Sequence, residues 1–201
     1  MTIHTDETVL NITEATAHWL DKAVIGLNLC PFAKSVRARN QIRFAVSNAG
    51  TEVELHADLI AELLLLQQTN PEDVDTTLLI HPWALTDFLT YNDFLDVADA
   101  TLEELDLAGE IQIASFHPQY QFADTEPDDM SNFTNRSPYP MLHLLRESSV
   151  ERAVAAFSDA EKIFLRNIDT MRRLGLPGWT RLDVSLPHAE PLHTAGKKKE
   201  N

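Results

Sequence analysis

The apolar positions of this chain switch between a helical and an alternating period. From Thr13 to Leu27, the residues Ala15, Trp19, Leu20, Ala23, Val24 and Leu27 recur at helical spacing, with Thr13 as N-cap. Gln41 to Ser47 alternates Ile42, Phe44 and Val46 against Gln41, Arg43 and Ala45, which predicts a strand closed by the turn residues Asn48-Ala49-Gly50. Thr51 to Gln68 returns to the helical period through Leu55, Leu59, Ile60, Leu63 and Leu64, and Asn70-Pro71 ends it. A short β-leaning run, Thr76 to Ile80, stops at His81-Pro82. Phe88, Tyr91, Phe94, Leu95, Ala98, Leu102 and Leu105 then form one helical stripe ended by Gly109, and Glu110 to Phe116 alternates up to His117-Pro118.

Residues 118–140 show neither period and carry Pro118, Pro127, Pro138 and Pro140. Long aperiodic loops inside a domain are functional or disordered. Tyr120, Phe122, Phe133 and Tyr139 should anchor this one, so it is expected to be ordered and to fold over the strand ends, with Arg136 near the histidines. Met141 to Arg146 reads as helical, and Ser148-x-x-Glu151 has the form of a capping box. That box opens a long helix bearing Val150, Val154, Phe157, Phe164, Ile168 and Met171, closed by Gly175 and Pro177. Leu182 to Leu186 reads as a short edge strand. The expected organisation is a flexible stretch at 1–12, one α/β domain at 13–186 and a disordered tail at 187–201. Its sheet has three to four strands, at least partly parallel, with flanking helices. A ferredoxin-like α+β arrangement is the alternative.

With 201 residues, 44% of them hydrophobic, the chain can bury one substantial core. Its formal charge of −15 disfavours nucleic acid and anionic membrane surfaces as partners. The most apolar run, residues 59–66, is broken by Glu62 and is far shorter than the ~20 residues of a spanning helix. Cys30 is the single cysteine, so no intrachain disulfide can form. No basic stretch followed by an apolar one opens the sequence, and a cytoplasmic protein is expected.

Parallel strands bring their carboxyl ends to one edge, where ligands of open α/β folds usually bind. Those ends carry Asn48, His81 and His117. Two imidazoles there suit acid–base chemistry or, with Asp124, Asp128, Asp129 or His143, a divalent metal; the competing reading has them bonded only to backbone. Cys30, at the N-cap of a helix starting at Pro31 and near Lys34, Arg37, Arg39 and Arg43, reads as a reactive thiolate or as a packed residue. Lys34, Arg37 and Arg136 suit an anionic ligand, or pair with surface acids. The leading expectation is an enzyme or binding protein for a small anionic molecule, with His81, His117 and Cys30 catalytic and Arg136, Asn48, Lys34 and Arg37 binding. A non-catalytic interaction protein or homodimeric structural module, in contact through the long loop or the helix from Ser149 to Leu174, is the other class. Convergence of His81, His117, Cys30 and Arg136 on one cavity favours the first; dispersal beside an exposed apolar helix face favours the second. No cofactor is indicated.

Three segments resemble a known family: Trp19-Leu20 through Ala23-Val24-Ile25-Gly26-Leu27-Asn28-Leu29-Cys30-Pro31-Phe32-Ala33-Lys34; Phe116-His117-Pro118-Gln119-Tyr120-Gln121-Phe122-Ala123-Asp124; and Asn135-Arg136-Ser137-Pro138-Tyr139-Pro140 continuing through Leu142-His143-Leu144-Leu145-Arg146-Glu147. In this order they are similar to a bacterial family catalogued as domain of unknown function 1415, over residues 14 to 175. The resemblance implies one domain and assigns no catalytic role. One cysteine and scattered histidines give no closed four-ligand set for structural zinc. Elemental analysis of purified protein should therefore find no stoichiometric zinc, and one tightly held zinc per chain contradicts that reading.

Overall fold

A computed structural model describes residues 4–155 and 162–185. Helix α1 (Asp6–Trp19) is capped by Thr5, whose hydroxyl accepts from the Thr8 amide, so the helix starts well before Thr13. It continues into a π-helical segment, Leu20–Ile25. There the Leu29 amide bonds the Val24 carbonyl and the Gly26 amide bonds that of Asp21. A side chain at Gly26 would place its Cβ 2.2 Å from the Lys22 carbonyl oxygen, so this tight backbone requires glycine. Then follow α2 (Ala33–Ala38), β1 (Ile42–Val46), α3 (Glu52–Gln68), β2 (Thr76–Ile80), α4 (Phe88–Glu104), β3 (Ile111–Phe116), a 3₁₀ stretch at Met130–Thr134, β4 (Met141–Arg146), α5 (Glu147–Ala155) and α6 (Ile163–Leu182).

The four strands form one mixed sheet in the order β1-β2-β4-β3. β1 and β2 are parallel, whereas β4 runs antiparallel to both of its neighbours, β2 and β3. β1, β2 and β3 therefore point the same way, and the fold is α/β as expected. Two sequence expectations change. Met141 to Arg146 is the strand β4 and no helix: it lies mostly buried between two others, and burial on both faces removes the alternation that marks a strand. The predicted edge strand at Leu182 begins inside α6, residues 183–185 form no strand, and Leu186 lies outside the described residues.

Helices α3 and α4 cover one face of the sheet. Leu55, Leu59, Leu63 and Leu66 of α3 meet Tyr91, Phe94 and Ala98 of α4 over Leu79, Ile111, Leu142 and Leu144. Each leucine buried there contributes roughly 1.5–3 kcal/mol. On the other face, α1, the π segment and α6 pack Trp19, Leu20, Val24, Met171 and Trp179 against Leu78, Ile80 and Met141. α6 is not continuous: Gly175, at φ 62°, interrupts it before Pro177, the pair read from sequence as the end of the helix. The expected run of helix from the capping box into α6 crosses residues 156–161, including Phe157, which lie outside the described residues. No helix among the described residues is long and apolar enough to cross a membrane.

Loop 117–140 is ordered, and Asn132 organises it. Its buried carboxamide oxygen accepts from the Phe122 amide at 2.9 Å and from the Thr125 hydroxyl at 2.8 Å, while its amide nitrogen donates to the Glu126 carbonyl. The Trp19 indole donates to the Arg136 carbonyl at 2.9 Å, and Phe133 meets Trp179 edge-on at 5.4 Å, which seats the loop on α1 and α6.

Tyr91 joins the two layers. Its hydroxyl donates to the Met141 carbonyl at 2.9 Å and accepts from the Phe116 amide at 3.0 Å, bridging paired residues of β3 and β4. Tyr91→Phe strands two buried backbone groups and should cost roughly 2 to 4 kcal/mol. Urea unfolding of the two proteins measures this, and equal stability contradicts the bridge.

Candidate functional site

The strand carboxyl ends bring His81 and His117 to one edge, although β4 separates their strands. Both side chains are sealed, at 0% exposure, and both rings lie against Tyr91, with centroids 5.7 and 5.0 Å away. Each serves the turn that follows it. His81 Nδ1–H donates to the Ala84 carbonyl at 2.9 Å, and His117 Nδ1 accepts the Gln119 amide at 3.0 Å. Neutral His81 therefore presents a bare Nε2 and His117 a protonated one, and neither atom finds a hydrogen-bond partner among the described residues. Leu85 and Thr86 carbonyls beside His117 favour its protonated form, but burial dominates. The donor set does not suit a metal, since His117 Nε2 keeps its proton while Nδ1 is engaged as acceptor.

The remaining expected residues disperse. Asn48 sits at the same edge, with its carboxamide oxygen buried and unpartnered. Arg136 turns into its own loop instead of toward the histidines: Nε donates to the Tyr120 carbonyl, Nη2 to that of Pro127, and the guanidinium lies 4.1 Å from the Phe133 ring centre. Of the basic group, Arg37 forms a two-pronged pair with Asp21 and Arg43 with Glu62, while Lys34 is exposed. Asp129 caps the 3₁₀ stretch through the Ser131 amide. Cys30 is no N-cap, because α2 starts at Ala33 with Phe32 in that position.

The large cavity lies elsewhere than expected, across the face of the sheet and toward the amino ends of β1–β3. It encloses about 590 Å³. Ile42, Thr76, Leu78, Ala114, Phe116, His143 and Leu145 form its floor; Trp19, Leu20 and Val24 form one wall; Cys30, Phe32 and Val36 form a second. α5 supplies a third through Val150 and Ala153. Of the four residues expected to converge, Cys30 alone lines this space.

The polar side chains of the cavity gather near α5. The Ser149 hydroxyl donates to Asp75, and Arg152 donates to the Ser149 oxygen at 2.9 Å. Buried Arg146 donates to the carbonyls of Leu66, Thr69 and Val74 near the carboxyl end of α3, where a cation offsets the helix dipole. Arg39 bonds Gln41 at 2.6 Å. Among the described residues, neither Arg39 nor Arg152 forms an ion pair, in a chain with 31 acidic residues.

At the centre of the floor, His143 Nε2 lies 2.7 Å from the Thr76 hydroxyl oxygen, and that hydroxyl donates to the Leu144 carbonyl at 2.6 Å. Sequence gave His143 only as a loop-flanking candidate. Its partner follows from register: Thr76 pairs with Leu145, which makes His143 its diagonal neighbour.

Burial pushes His81, His117 and His143 down to about 4, from 6.5. The unfolded chain therefore binds more protons than the folded one between these values. The stability these groups confer is complete above pH 6.5 and declines as pH falls toward 4, by up to roughly 1.4 kcal/mol per pH unit for each histidine. Urea unfolding from pH 7 to 5 should show this slope, and His81→Phe should flatten it. Identical slopes for the two proteins contradict the assignment.

No curated protein and no solved structure matches the chain. A family model described as "Protein of unknown function (DUF1415)" matches residues 11–181, which include the π segment, the whole sheet, the loop and the cavity. The chain belongs to that family.

Proposed function

We propose that the protein binds a small, largely apolar molecule in the sheet-face cavity and holds an anionic end of it at Arg39 and Arg152. The cavity itself carries this reading. Its volume of about 590 Å³ falls within the usual range for small-molecule sites, and its floor is predominantly apolar with a few converging polar groups. Arg39 and Arg152, which form no ion pair among the described residues, supply the charge for a carboxylate or similar group. His81 and His117 do not enter this reading, because their Nδ1 atoms serve backbone turns. The same reading sets the protein in the cytoplasm of a bacterial cell, where a reducing environment suits the partly accessible Cys30 thiol on the cavity wall.

The dispersal of His81, His117, Cys30 and Arg136, together with an exposed apolar helix face, favours a second reading, a homodimer through α6. Phe164 and Leu165 are 55% and 64% exposed on adjacent positions of that helix. Phe164→Lys with Leu165→Lys turns a dimer into a monomer under light scattering if this surface is the contact. A wild-type monomer at high concentration removes the dimer reading.

Nile red, a neutral apolar fluorophore, tests the cavity. It should bind the wild-type protein with enhanced fluorescence, and Ala114→Trp, which fills the floor, should abolish that signal. Decanoate should then displace the dye better than decanol, with an advantage that shrinks as salt is added and disappears in Arg39→Gln/Arg152→Gln. Nile red bound equally well by Ala114→Trp overturns the proposal.

A further inference from the structure

The polar atoms of the cavity floor specify more than an apolar shape. The Thr76 hydroxyl has one proton, and that proton goes to the Leu144 carbonyl. Its oxygen can then only accept at His143 Nε2, which must carry the ring hydrogen. His143 Nδ1 is left as a bare lone pair. Among the described residues it bonds no group, and it is not sealed either: their buried side-chain atoms without partners belong to Asn48, Thr77, His81, His117 and Arg146. An acceptor set among Leu78, Ala114 and Phe116 is costly to leave unmatched once an apolar ligand displaces water from it.

Building on the cavity reading above, we infer that the natural ligand carries a hydrogen-bond donor, a hydroxyl or an N–H, which His143 Nδ1 accepts. Two features make this acceptor selective. It is rigid, because Thr76 and His143 stand on paired central strands, and a preset acceptor loses little freedom when it binds. It is also fixed in sense: with Nε2–H committed to Thr76, the neutral ring cannot turn Nδ1 into a donor, so a ligand carbonyl or ether at this point is rejected. Burial resists protonation and holds the ring in this neutral form. The ligand class is thus an apolar molecule with a donor on its body, distinct from the anionic group at the arginine end.

Indole and indene have nearly the same shape, and only indole has an N–H. Competing against Nile red on the full-length protein, indole should bind about tenfold more tightly than indene. N-methylindole, its donor blocked, should lose that advantage. Thr76→Val, which frees the ring to change tautomer, should reduce the ratio of indole to indene affinity toward one. Long-range proton–nitrogen correlation spectra of the wild-type imidazoles give a readout that needs no variant. His143 should show a protonated Nε2 and a bare Nδ1 whose resonance moves with indole and not with indene. A proton on Nδ1, or equal displacement by indole and indene, overturns this inference and leaves the cavity standing. Failure of Nile red itself to bind the wild-type protein overturns the cavity reading together with it.

Discussion

β4 runs against both of its neighbours, β2 and β3, and most of the molecule's specific contacts depend on that insertion. Its three polar anchor points occupy its whole length. At its start the Met141 carbonyl meets Tyr91 of α4, in its middle His143 meets Thr76 of β2, and at its end Arg146 gathers the carbonyls of Leu66, Thr69 and Val74. A slip of one residue would turn every side chain to the opposite face, burying His143 under α3 and α4 and withdrawing Arg146 from its carbonyls. The antiparallel direction of β4 also requires the chain to return from the end of β3, which is the task of loop 117–140. Asn132 and the Trp19 indole hold that return path in place.

The two faces of the sheet are finished differently. α3 and α4 fill theirs with leucine and aromatic side chains. On the other face, α1 turns into the π segment and α2 follows, while α5 leaves directly from β4. These short elements wall the face without filling it. The cavity follows from that incomplete cover, and its polar groups follow from strand ends that need caps: Asp75 before β2 and Arg146 at the end of β4.

Much of the scaffold was legible because its signals are local. α3 shows its leucines at one-face spacing, and β1 and β3 alternate as edge strands do. β4 was not legible. Met141, Leu142, Leu144 and Leu145 favour helix by intrinsic propensity, and only the neighbours on both sides make them a strand. The site failed to show for the same reason. His81 and His117 stand out beside prolines at strand ends, yet their Nδ1 atoms serve backbone turns, His81 as donor and His117 as acceptor. The pairing of Thr76 with His143 depends on β2 lying beside β4, and no local spacing encodes that adjacency. Arg136 was selected as a ligand clamp; its loop carbonyls, invisible to a pattern, claim it instead.

The central claim is that ligand chemistry belongs to the face of the sheet and not to the carboxyl edge of its parallel strands. Amide chemical-shift mapping during titration with indole separates the two directly. The account predicts shifts concentrated at Thr76, Leu78, Ala114, His143 and Val150, with little change at Asn48, His81 and His117. Shifts centred on those last three residues, with the sheet face silent, contradict it.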